Sequence, residues 1–341
     1  MRSEDGVGSG GAPSAGVRVR ILGAGTLVPD DEHRSACHLV QGGARDDAPE
    51  WELLLDCGFG AVHGFSRFGI DPRRLTHLAL SHFHLDHVGD LAPLLFTYAH
   101  APPAPRTTPF TLVGPPGLGN HLEGLARLYG GFITAPSFPL EVVELPLEGG
   151  WEDPLGRFAL RCAPTHHTPE AVAWRVEAAS GSVVGYTGDT GPREEVGAFL
   201  AESDLLIAEC AFNDPSPWDG HLSPVGVARL AREARPGLTV LTHRYPDVDG
   251  TDLPRQLRKA GWEGRVAVAS DGDAWILGED TPVRTPRTPG CSGVGWRLDP
   301  MEATRVYPPP GAPSRLGHSR CGVRRMPALA GSSDARLTCW W

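Results

Sequence analysis

Short apolar runs separated by turn residues fill the chain between residues 17 and 281. Runs of about four to eight residues rich in Val, Ile and Leu predict β-strands where Gly, Pro or Asp bounds them. Apolar residues that recur every three or four positions predict amphipathic helices. The predicted strands cover residues 17–22, 37–41, 52–56, 78–80, 111–113, 140–145, 158–163, 172–177, 182–187, 205–207, 239–241 and 266–269. The predicted helices cover residues 61–68, 90–99, 115–129, 194–202, 224–235 and 252–260.

The order of these elements predicts the fold class. Two β-rich halves, with helices between and after them, are typical of two sheets that pack face to face with helices outside. We therefore expect an α+β fold, a four-layer αββα sandwich, in one domain over residues 17–281. Residues 1–16 and the Pro-, Arg- and Gly-rich residues 282–341 lack sustained periodicity, so both are predicted to be disordered.

The composition indicates a soluble, cytoplasmic protein. No apolar run approaches the roughly 20 residues that a membrane helix needs, and the first residues lack the apolar core of a signal peptide. We therefore expect no contact with a membrane. Seven cysteines without a CxxC pair argue against a disulfide framework and against a thiolate zinc site. Four of them lie in apolar segments and are interpreted as small buried hydrophobic residues: Cys37, Cys57, Cys162 and Cys210.

The formal net charge of −10 is unevenly distributed along the chain. Nine arginines and three acidic residues lie from Arg284 onward, so the preceding part carries 22 basic and 38 acidic residues. Affinity for long nucleic acids depends largely on the neutralisation of phosphates. The acidic part of the chain therefore disfavours the binding of polynucleotides. The basic tail still allows RNA as a partner.

Four side chains of the types that bind metals follow the apolar segment HLALS in the pattern HxHxDH: His82, His84, Asp86 and His87. Alternate residues of an extended chain point the same way, so His82 and His84 can reach one metal ion together. The turn that follows lets Asp86 and His87 reach a second ion. Imidazole and carboxylate groups without thiolate suit Zn²⁺, and they also tolerate Mn²⁺ or Fe. The pattern therefore predicts a metal site that one short loop can provide for two ions.

This segment resembles the signature of the metallo-β-lactamase superfamily, and the other motifs of that family are present in order. LLLDCGFG resembles the first motif, which implies that Asp56 braces the ligand loop. PTHHTPEAVAWRV, YTGDTG and LTHRYP resemble the third, fourth and last motifs, each of which supplies a ligand. The resemblance implies two Zn²⁺ ions per chain in a metallo-β-lactamase fold, with these ligands: His82, His84 and one of His166 or His167 for the first ion, Asp86, His87 and His243 for the second, and Asp189 for both.

His166 and His167 are adjacent in sequence, and either of them could be the third ligand of the first ion. In members of the family the ligand is commonly followed by Thr or Ser and then by a small residue, an aromatic residue and Arg. The segment HTPEAVAWR, which begins at His167, fits that register best. We therefore expect His167 to be the ligand.

Two further segments resemble ribonuclease Z and its close relatives. DLLIAEC ends a buried strand near Glu209, and GHLSPVGVARLAREA opens a helix just after His221. A His held by a carboxylate keeps one tautomer and gains basicity, which suits it to donate a proton to an alkoxide leaving group. The resemblance implies catalytic roles for Glu209, His221 and the metal ligand Asp86. The alternative is a helix-capping segment beside a surface Glu.

The resemblance as a whole implies a dinuclear zinc phosphodiesterase, in which a metal-bridging hydroxide attacks the phosphorus and His221, held by Glu209, assists the leaving group. Ribonuclease Z commonly inserts a long tRNA-clamping arm between the third and fourth motifs, whereas only 22 positions separate His167 from Asp189. We therefore favour a small or short phosphodiester substrate. The alternatives are a tRNA 3′-processing endonuclease and an arylsulfatase-like or other ester hydrolase of the same fold. Because relatives often dimerise, we also consider a homodimer as the oligomeric state.

Three features beside these motifs receive simpler interpretations. Arg244 and Tyr245 follow His243 directly and could meet a substrate phosphate, Arg by charge and Tyr by a hydrogen bond. Asp271 and Asp273 are expected to stabilise a turn. The Gly-rich loop at residues 23–26 is expected to be a turn near the site, because no helix of phosphate-binding pattern follows it.

Overall fold

Strands and helices alternate along the computed structural model, which describes residues 16–43, 49–101, 105–278 and 282–285. The strands are β1 (Val17–Gly23), β2 (Cys37–Gly42), β3 (Trp51–Leu55), β4 (His77–Ala79), β5 (Phe110–Gly114), β6 (Leu140–Glu144), β7 (Gly149–Glu152), β8 (Phe158–Pro164), β9 (Val172–Ala178), β10 (Val183–Tyr186), β11 (Leu205–Glu209), β12 (Thr239–Thr242), β13 (Val266–Val268), β14 (Ala274–Leu277) and β15 (Val283–Thr285). The helices are α1 (Ala61–Arg67), α2 (Leu85–Val88), α3 (Leu91–His100), α4 (Leu118–Tyr129), α5 (Glu194–Phe199), α6 (Pro224–Ala234) and α7 (Leu253–Lys259).

The strands form two mixed sheets, one of eight strands and one of seven. The first sheet has the order β15-β14-β1-β2-β3-β4-β5-β6, and the second has the order β13-β12-β11-β10-β9-β8-β7. Pairing is parallel from β3 to β6 and from β10 to β13, and it is antiparallel elsewhere. Parallel neighbours end at the same edge of a sheet. Each sheet therefore gathers several strand-end loops at one edge, where ligands bind in open parallel sheets.

Three hydrophobic clusters mark where the layers meet. The central cluster joins the facing sides of the two sheets and contains the fully buried Leu53 and Trp174. A second cluster packs α1 and α3 on the outer face of the first sheet through Phe65 and Leu95. A third packs α5, α6 and α7 on the outer face of the second sheet, with Leu230 among its members. The predicted αββα sandwich is confirmed.

Every predicted strand and helix has an observed counterpart, but four of the described strands and α-helices were not predicted, nor was a short 3-10 helix at Pro72–Arg74. The helix α2 has only four residues and β7 begins with two glycines, so neither carries a periodic apolar pattern. The strands β14 and β15 extend the first sheet beyond β1. The predicted tail from residue 282 therefore needs a correction at its start, because residues 283–285 pair with β14. The remaining residues of that tail, and residues 1–15, lie outside the described residues.

Two expectations from composition can be compared with the structure. Cys37, Cys57, Cys162 and Cys210 are all buried and unpaired, as small hydrophobic residues would be. Within the ranges that the structure covers, no helix is long and apolar enough to cross a membrane; the longest of the regular helices there, α4, has 12 residues.

Packing between the two sheets should dominate the stability of the fold, and two leucines test this, one in the turn between β7 and β8 and one on β8. Leu160 on β8 is fully buried in the central cluster, whereas Leu155, just before that strand, is 74% exposed. We expect Leu160→Ala to lower the free energy of unfolding by about 2–5 kcal/mol, because it leaves a cavity in a close-packed core. The matched change Leu155→Ala should alter it by less than about 0.5 kcal/mol. Urea unfolding followed by circular dichroism measures both, and equal losses would contradict this assignment of the core.

Candidate metal centre

The side chains predicted to bind metal come from loops that follow strands of both sheets. The HxHxDH segment follows β4, and Asp56 follows the neighbouring parallel strand β3. On the second sheet, Asp189 follows β10 and His243 follows β12, while Glu209 ends β11 between them. Since these three strands are parallel, their carboxyl ends lie together. The centre therefore lies where the strand-end edges of the two sheets face each other.

The HxHxDH segment divides between an extended stretch and a single helical turn. His82 lies two residues before His84, which is the N-cap of α2 in an extended conformation. Asp86 and His87 lie within α2, and both are buried. The helical turn changes the direction of these two side chains relative to the histidines before it. One continuous loop thus faces two adjacent positions.

The first position is surrounded by His82, His84, His167 and Asp189, whose ligand atoms all lie within 4.8 Å of one another. Nδ1 of His84 and Nε2 of His167 are 3.0 Å apart. Nε2 of His82 and Nε2 of His167 each lie 3.7 Å from Oδ2 of Asp189. Three imidazole nitrogens and a carboxylate oxygen that converge in this way match the usual four-ligand set of Zn²⁺.

The second position is surrounded by Asp86, His87 and His243, again with Asp189 beside them. Nε2 of His243 lies 3.3 Å from Oδ2 of Asp86 and 3.4 Å from Nε2 of His87. Asp189 reaches this group with both oxygens, since Oδ2 lies 3.3 Å from Nε2 of His87 and Oδ1 lies 3.5 Å from Nε2 of His243. Asp189 is thus shared by the two positions.

Two buried atoms that point into the centre have no hydrogen-bond partner among the described residues: Nε2 of His82 and Oδ1 of Asp189. Such atoms are rare in folded proteins because each costs the free energy of its lost hydration. Both point into the cluster, where a cation would satisfy them. The donor set contains nitrogen and oxygen but no sulfur, which suits a divalent ion such as Zn²⁺. The residues present therefore fit a divalent metal centre.

The protonation of the cluster also favours a cation. Burial alone would raise the pKa of Asp86, but the hydrogen bond from His243 and the charge of His87 outweigh it and lower the pKa to about 2. Burial, aided by neighbouring imidazoles, lowers the pKa of His82 well below its usual value and that of His167 to about 4. His87 is the exception, because Asp189 and Asp56 overcome the effect of burial and raise its pKa. Ionised carboxylates beside neutral imidazoles are the forms that bind metal.

Asp56 braces the ligand loop from a fully buried position. Its Oδ1 accepts a hydrogen bond from the backbone N–H of Ser81 at 2.7 Å. Its Oδ2 lies 2.7 Å from each of three groups: the Ser81 hydroxyl, Nδ1 of His87 and the Tyr186 hydroxyl. A carboxylate on Nδ1 fixes the ring orientation and leaves Nε2 of His87 facing the centre. The sequence singled out Asp56 but missed Tyr186, although it begins the YTGDTG motif.

Glu209 and His221 form a pair beside the second position. Nδ1 of His221 lies 3.1 and 3.2 Å from the two Glu209 oxygens, which also accept hydrogen bonds from the backbone N–H groups of Thr190 and Leu222. Burial lowers the pKa of His221, but the charge and hydrogen bond of Glu209 outweigh it and raise the pKa to about 9. The His221 ring stacks on that of His243 at 5.7 Å between centroids. With Nδ1 engaged, Nε2 of His221 is the ring nitrogen left for a substrate.

The close approach of two loops positions this pair. A Cβ at Gly191 would lie 1.7 Å from the carbonyl oxygen of Asp219, so only glycine fits there. The same neighbouring loop supplies the carbonyl of Gly220, 3.0 Å from Nδ1 of His167. The loop after β10 and the loop before α6 therefore hold His167 and His221 together.

The structure distinguishes the two adjacent histidines. His167 lies in the first group of candidate ligands, whereas His166 is exposed and interacts through its backbone, with Thr190 and Gly191.

The sequence suggested that Arg244 contacts a substrate phosphate. Its side chain is only 3% exposed, however, and it forms an ion pair with Asp249. The contact of Arg244 with substrate is therefore not supported.

An apolar cavity of about 670 Å³ lies among α2, α3 and α4. Leu85, which lies between the two ligand positions His84 and Asp86 in sequence, is 66% exposed and lines it. Phe59 on one side and Phe96 and Tyr129 on the other are also partly exposed there. Neither lysine nor arginine is among the described residues that line this cavity.

Comparison with known proteins shows the family and the fold. The family model described as beta-lactamase superfamily domain matches residues 52–244. A protein named ribonuclease Z from Mycobacterium sp. (strain KMS) is 30% identical over 275 residues, which cover 74% of this chain and 90% of that protein. The crystal structure of the metallo-beta-lactamase fold protein YhfI from Bacillus subtilis has a TM-score of 0.64 at 22% identity, over 77% of this chain and 100% of that chain. Human tRNase Z, short form, has a TM-score of 0.60 at 20% identity, over 75% and 98% of the two chains.

The bracing role of Asp56 predicts a specific loss of metal. Asp56→Asn removes the charge and turns an NH₂ group towards hydrogen-bond donors, so we expect a loss of about 2–4 kcal/mol in stability. Metal affinity should fall about 10–100-fold, because the His87 ring loses its orientation. Asp153→Asn is the matched control: Asp153 is equally buried but pairs with Arg157. It should lower stability and leave metal affinity unchanged. Competition with a zinc chelator measures the affinity, and equal losses in both variants would refute the bracing role.

Proposed function

Because the chain belongs to the beta-lactamase superfamily and is a ribonuclease Z-like, metal-dependent hydrolase, we propose that it hydrolyses phosphodiesters at a centre of two Zn²⁺ ions. The observation that carries the proposal is the convergence of seven side chains around two adjacent positions, with one carboxylate shared between them. The presence of the Glu209–His221 pair at the same centre favours phosphodiester cleavage over other ester hydrolysis.

The ligands are assigned by their place in the two groups. His82, His84 and His167 would hold the first ion, Asp86, His87 and His243 would hold the second, and Asp189 would contribute to both. Two bound Zn²⁺ ions would supply an ionised water as nucleophile at neutral pH and would polarise the phosphoryl oxygens. Oδ2 of Asp86 lies 3.3 Å from Nε2 of His243, so both atoms face the same second position.

His221 is proposed to protonate the leaving group. Glu209 accepts from Nδ1 and thereby fixes the tautomer, so the proton that can be transferred is the one on Nε2. The stacking of His221 on His243 places the acid beside the second ligand group. General acid catalysis of this kind contributes about 10²–10⁴-fold and matters most when the leaving group is a strong base.

A small or short phosphodiester is the favoured substrate. The chain between His167 and Asp189 forms only the β9–β10 hairpin, whose pairing runs from Trp174 opposite Tyr186 to Glu177 opposite Val183. Among the described residues, neither lysine nor arginine lines the apolar cavity beside α2, so this cavity supplies no fixed positive charge for a polynucleotide backbone. Sequence-independent affinity for RNA requires such side chains.

Cleavage of tRNA precursors is the second candidate, and the similarity to a protein named ribonuclease Z favours it. The two candidates differ in how salt acts on binding. A polynucleotide held through several phosphates loses affinity steeply as salt rises, whereas a small diester does not. An arylsulfatase-like activity at the same centre has no separate observation in its favour.

Assays of the zinc-loaded protein test the proposal. We expect hydrolysis of bis(p-nitrophenyl) phosphate and little or none of a thioester or a lactone. Asp189→Ala should lower kcat by at least about 10³-fold, because the shared carboxylate is lost from both ligand groups. Metal analysis of this variant should find one zinc per chain or fewer in place of two. Full activity with both zincs retained would contradict the assignment of Asp189.

The role of His221 predicts a dependence on the leaving group. His221→Ala should slow hydrolysis of methyl p-nitrophenyl phosphate little when nitrophenolate leaves, because that group departs without a proton. The variant should slow cleavage of a dialkyl or dinucleotide diester about 10²–10³-fold. Zinc content should stay at two per chain in both the variant and the wild type. Equal rates of the two proteins on the dinucleotide would remove the proposed role.

A further inference from the structure

The ligand His243 has a backbone conformation that residues other than glycine rarely adopt. Its φ is +50°, in the left-handed region, where the Cβ of an L-residue approaches the following carbonyl oxygen. Such conformations persist only where the surroundings hold them, and they are concentrated at functional sites. Something in the structure must therefore hold the segment Thr242–Tyr245 in place.

Backbone hydrogen bonds hold the two ends of that segment, from the N–H of Cys210 to the carbonyl of Thr242 at 3.0 Å and from the N–H of Val248 to the carbonyl of Tyr245 at 2.9 Å. The N–H groups that directly follow His243 make longer contacts. The N–H of Arg244 reaches the carbonyl of Ala24 at 3.3 Å, and the N–H of Tyr245 reaches that of Ala211 at the same distance. Both distances are at the long end for N–H to O hydrogen bonds. The side chain of Arg244 supplies the stronger contacts.

The Arg244 guanidinium is clamped from three sides. Its Nε donates to Oδ1 of Asp249 at 2.7 Å, and its Nη1 donates to the carbonyl of Leu241 at 3.1 Å. Its Nη2 lies 3.4 Å from Nε2 of His33. The carbonyl of Leu241 lies just before His243 and Asp249 lies just after it, so the guanidinium ties together the two ends of the turn that carries the ligand.

The third side of the clamp is itself fixed to the first sheet. Asp271 accepts hydrogen bonds from the N–H groups of Ala24 and Arg34, both at 2.9 Å. It thereby holds the ends of the loop that presents the Ala24 carbonyl and His33 to Arg244. The Gly-rich loop and Asp271, which the sequence indicated only as turn elements, belong to this support.

We propose that Arg244 is a positioning residue for His243, and that it sets the affinity of the second cation. The inference rests on the proposed two-ion centre. By closing the turn from Leu241 to Asp249, Arg244 keeps His243 in its left-handed conformation and directs Nε2 towards Asp86 and Asp189. The guanidinium of Arg244, which follows the ligand histidine in sequence, thus binds groups of the protein and does not contact the substrate.

Replacement of Arg244 by Met tests the proposal, because Met keeps an aliphatic stem and removes every donor. We expect the affinity for the second zinc equivalent to fall about 10–100-fold, with that for the first unchanged. Excess zinc should restore kcat, and KM for bis(p-nitrophenyl) phosphate should not change. Arg255→Met, at an exposed position on α7, is the matched control and should leave both affinities as in the wild type. Titration against a chelator measures the affinities.

Two results would overturn the proposal. A raised KM with normal zinc affinities would place Arg244 on the substrate, and unchanged zinc affinities with unchanged KM would leave it without a role. If Arg244→Met does not fold, Asp249→Asn removes one side of the clamp and should weaken the second equivalent in the same direction by a smaller factor; no change there would also refute the proposal.

A measurement on metal-free protein separates this inference from the proposed function. The imidazole resonances of His243 report its surroundings without any cation, and Arg244→Met should shift them while those of His82 stay in place. If the wild type binds a single zinc, the two-ion function fails by itself. Unshifted His243 resonances in the folded variant would refute the positioning role whatever the zinc content.

Discussion

Buried negative charge is the constraint on which the centre depends. Asp56, Asp86 and Asp189 are almost inaccessible to water, and a carboxylate in such surroundings is strongly destabilised unless it is paired and hydrogen-bonded. Asp56 is compensated by donors of the protein itself. Asp189 is surrounded by imidazoles, and its Oδ1 still accepts no hydrogen bond from any described residue. The arrangement is therefore completed by positive charge that enters from outside the chain.

The two sheets contribute to the centre in different ways. The first sheet contributes four candidate ligands from one loop of six residues, so the distances among them depend mainly on the conformation of that loop. The second sheet delivers Asp189, Glu209 and His243 from the ends of three neighbouring parallel strands. The distance between these two sets depends on how the sheets pack on each other. The fully buried Leu53 and Trp174 of the central cluster therefore influence the chemistry without touching it.

An inward-facing arginine and an exposed apolar surface lie near the candidate ligands. Arginine next to a ligand histidine suggests a phosphate contact in sequence, yet Arg244 is turned inward and bound by Asp249. The exposed surface beside α2 is apolar instead, with Leu85 and Phe59 at its rim.

The sequence alone determined the αββα fold, the residue types around the centre and the resemblance to ribonuclease Z, because alternation, turn residues and the HxHxDH spacing are local signals. It did not predict α2 or β7, which are too short or too glycine-rich to show a period. Tertiary structure alone decided that His167 and not His166 faces the cluster, that Tyr186 completes the bracing of Asp56, and that the Arg244 guanidinium turns inward to Asp249 and the Leu241 carbonyl. Each of these depends on loops more than 20 residues apart meeting at one edge. Such a meeting is fixed by the packing of the sheets and leaves no periodic trace in the chain.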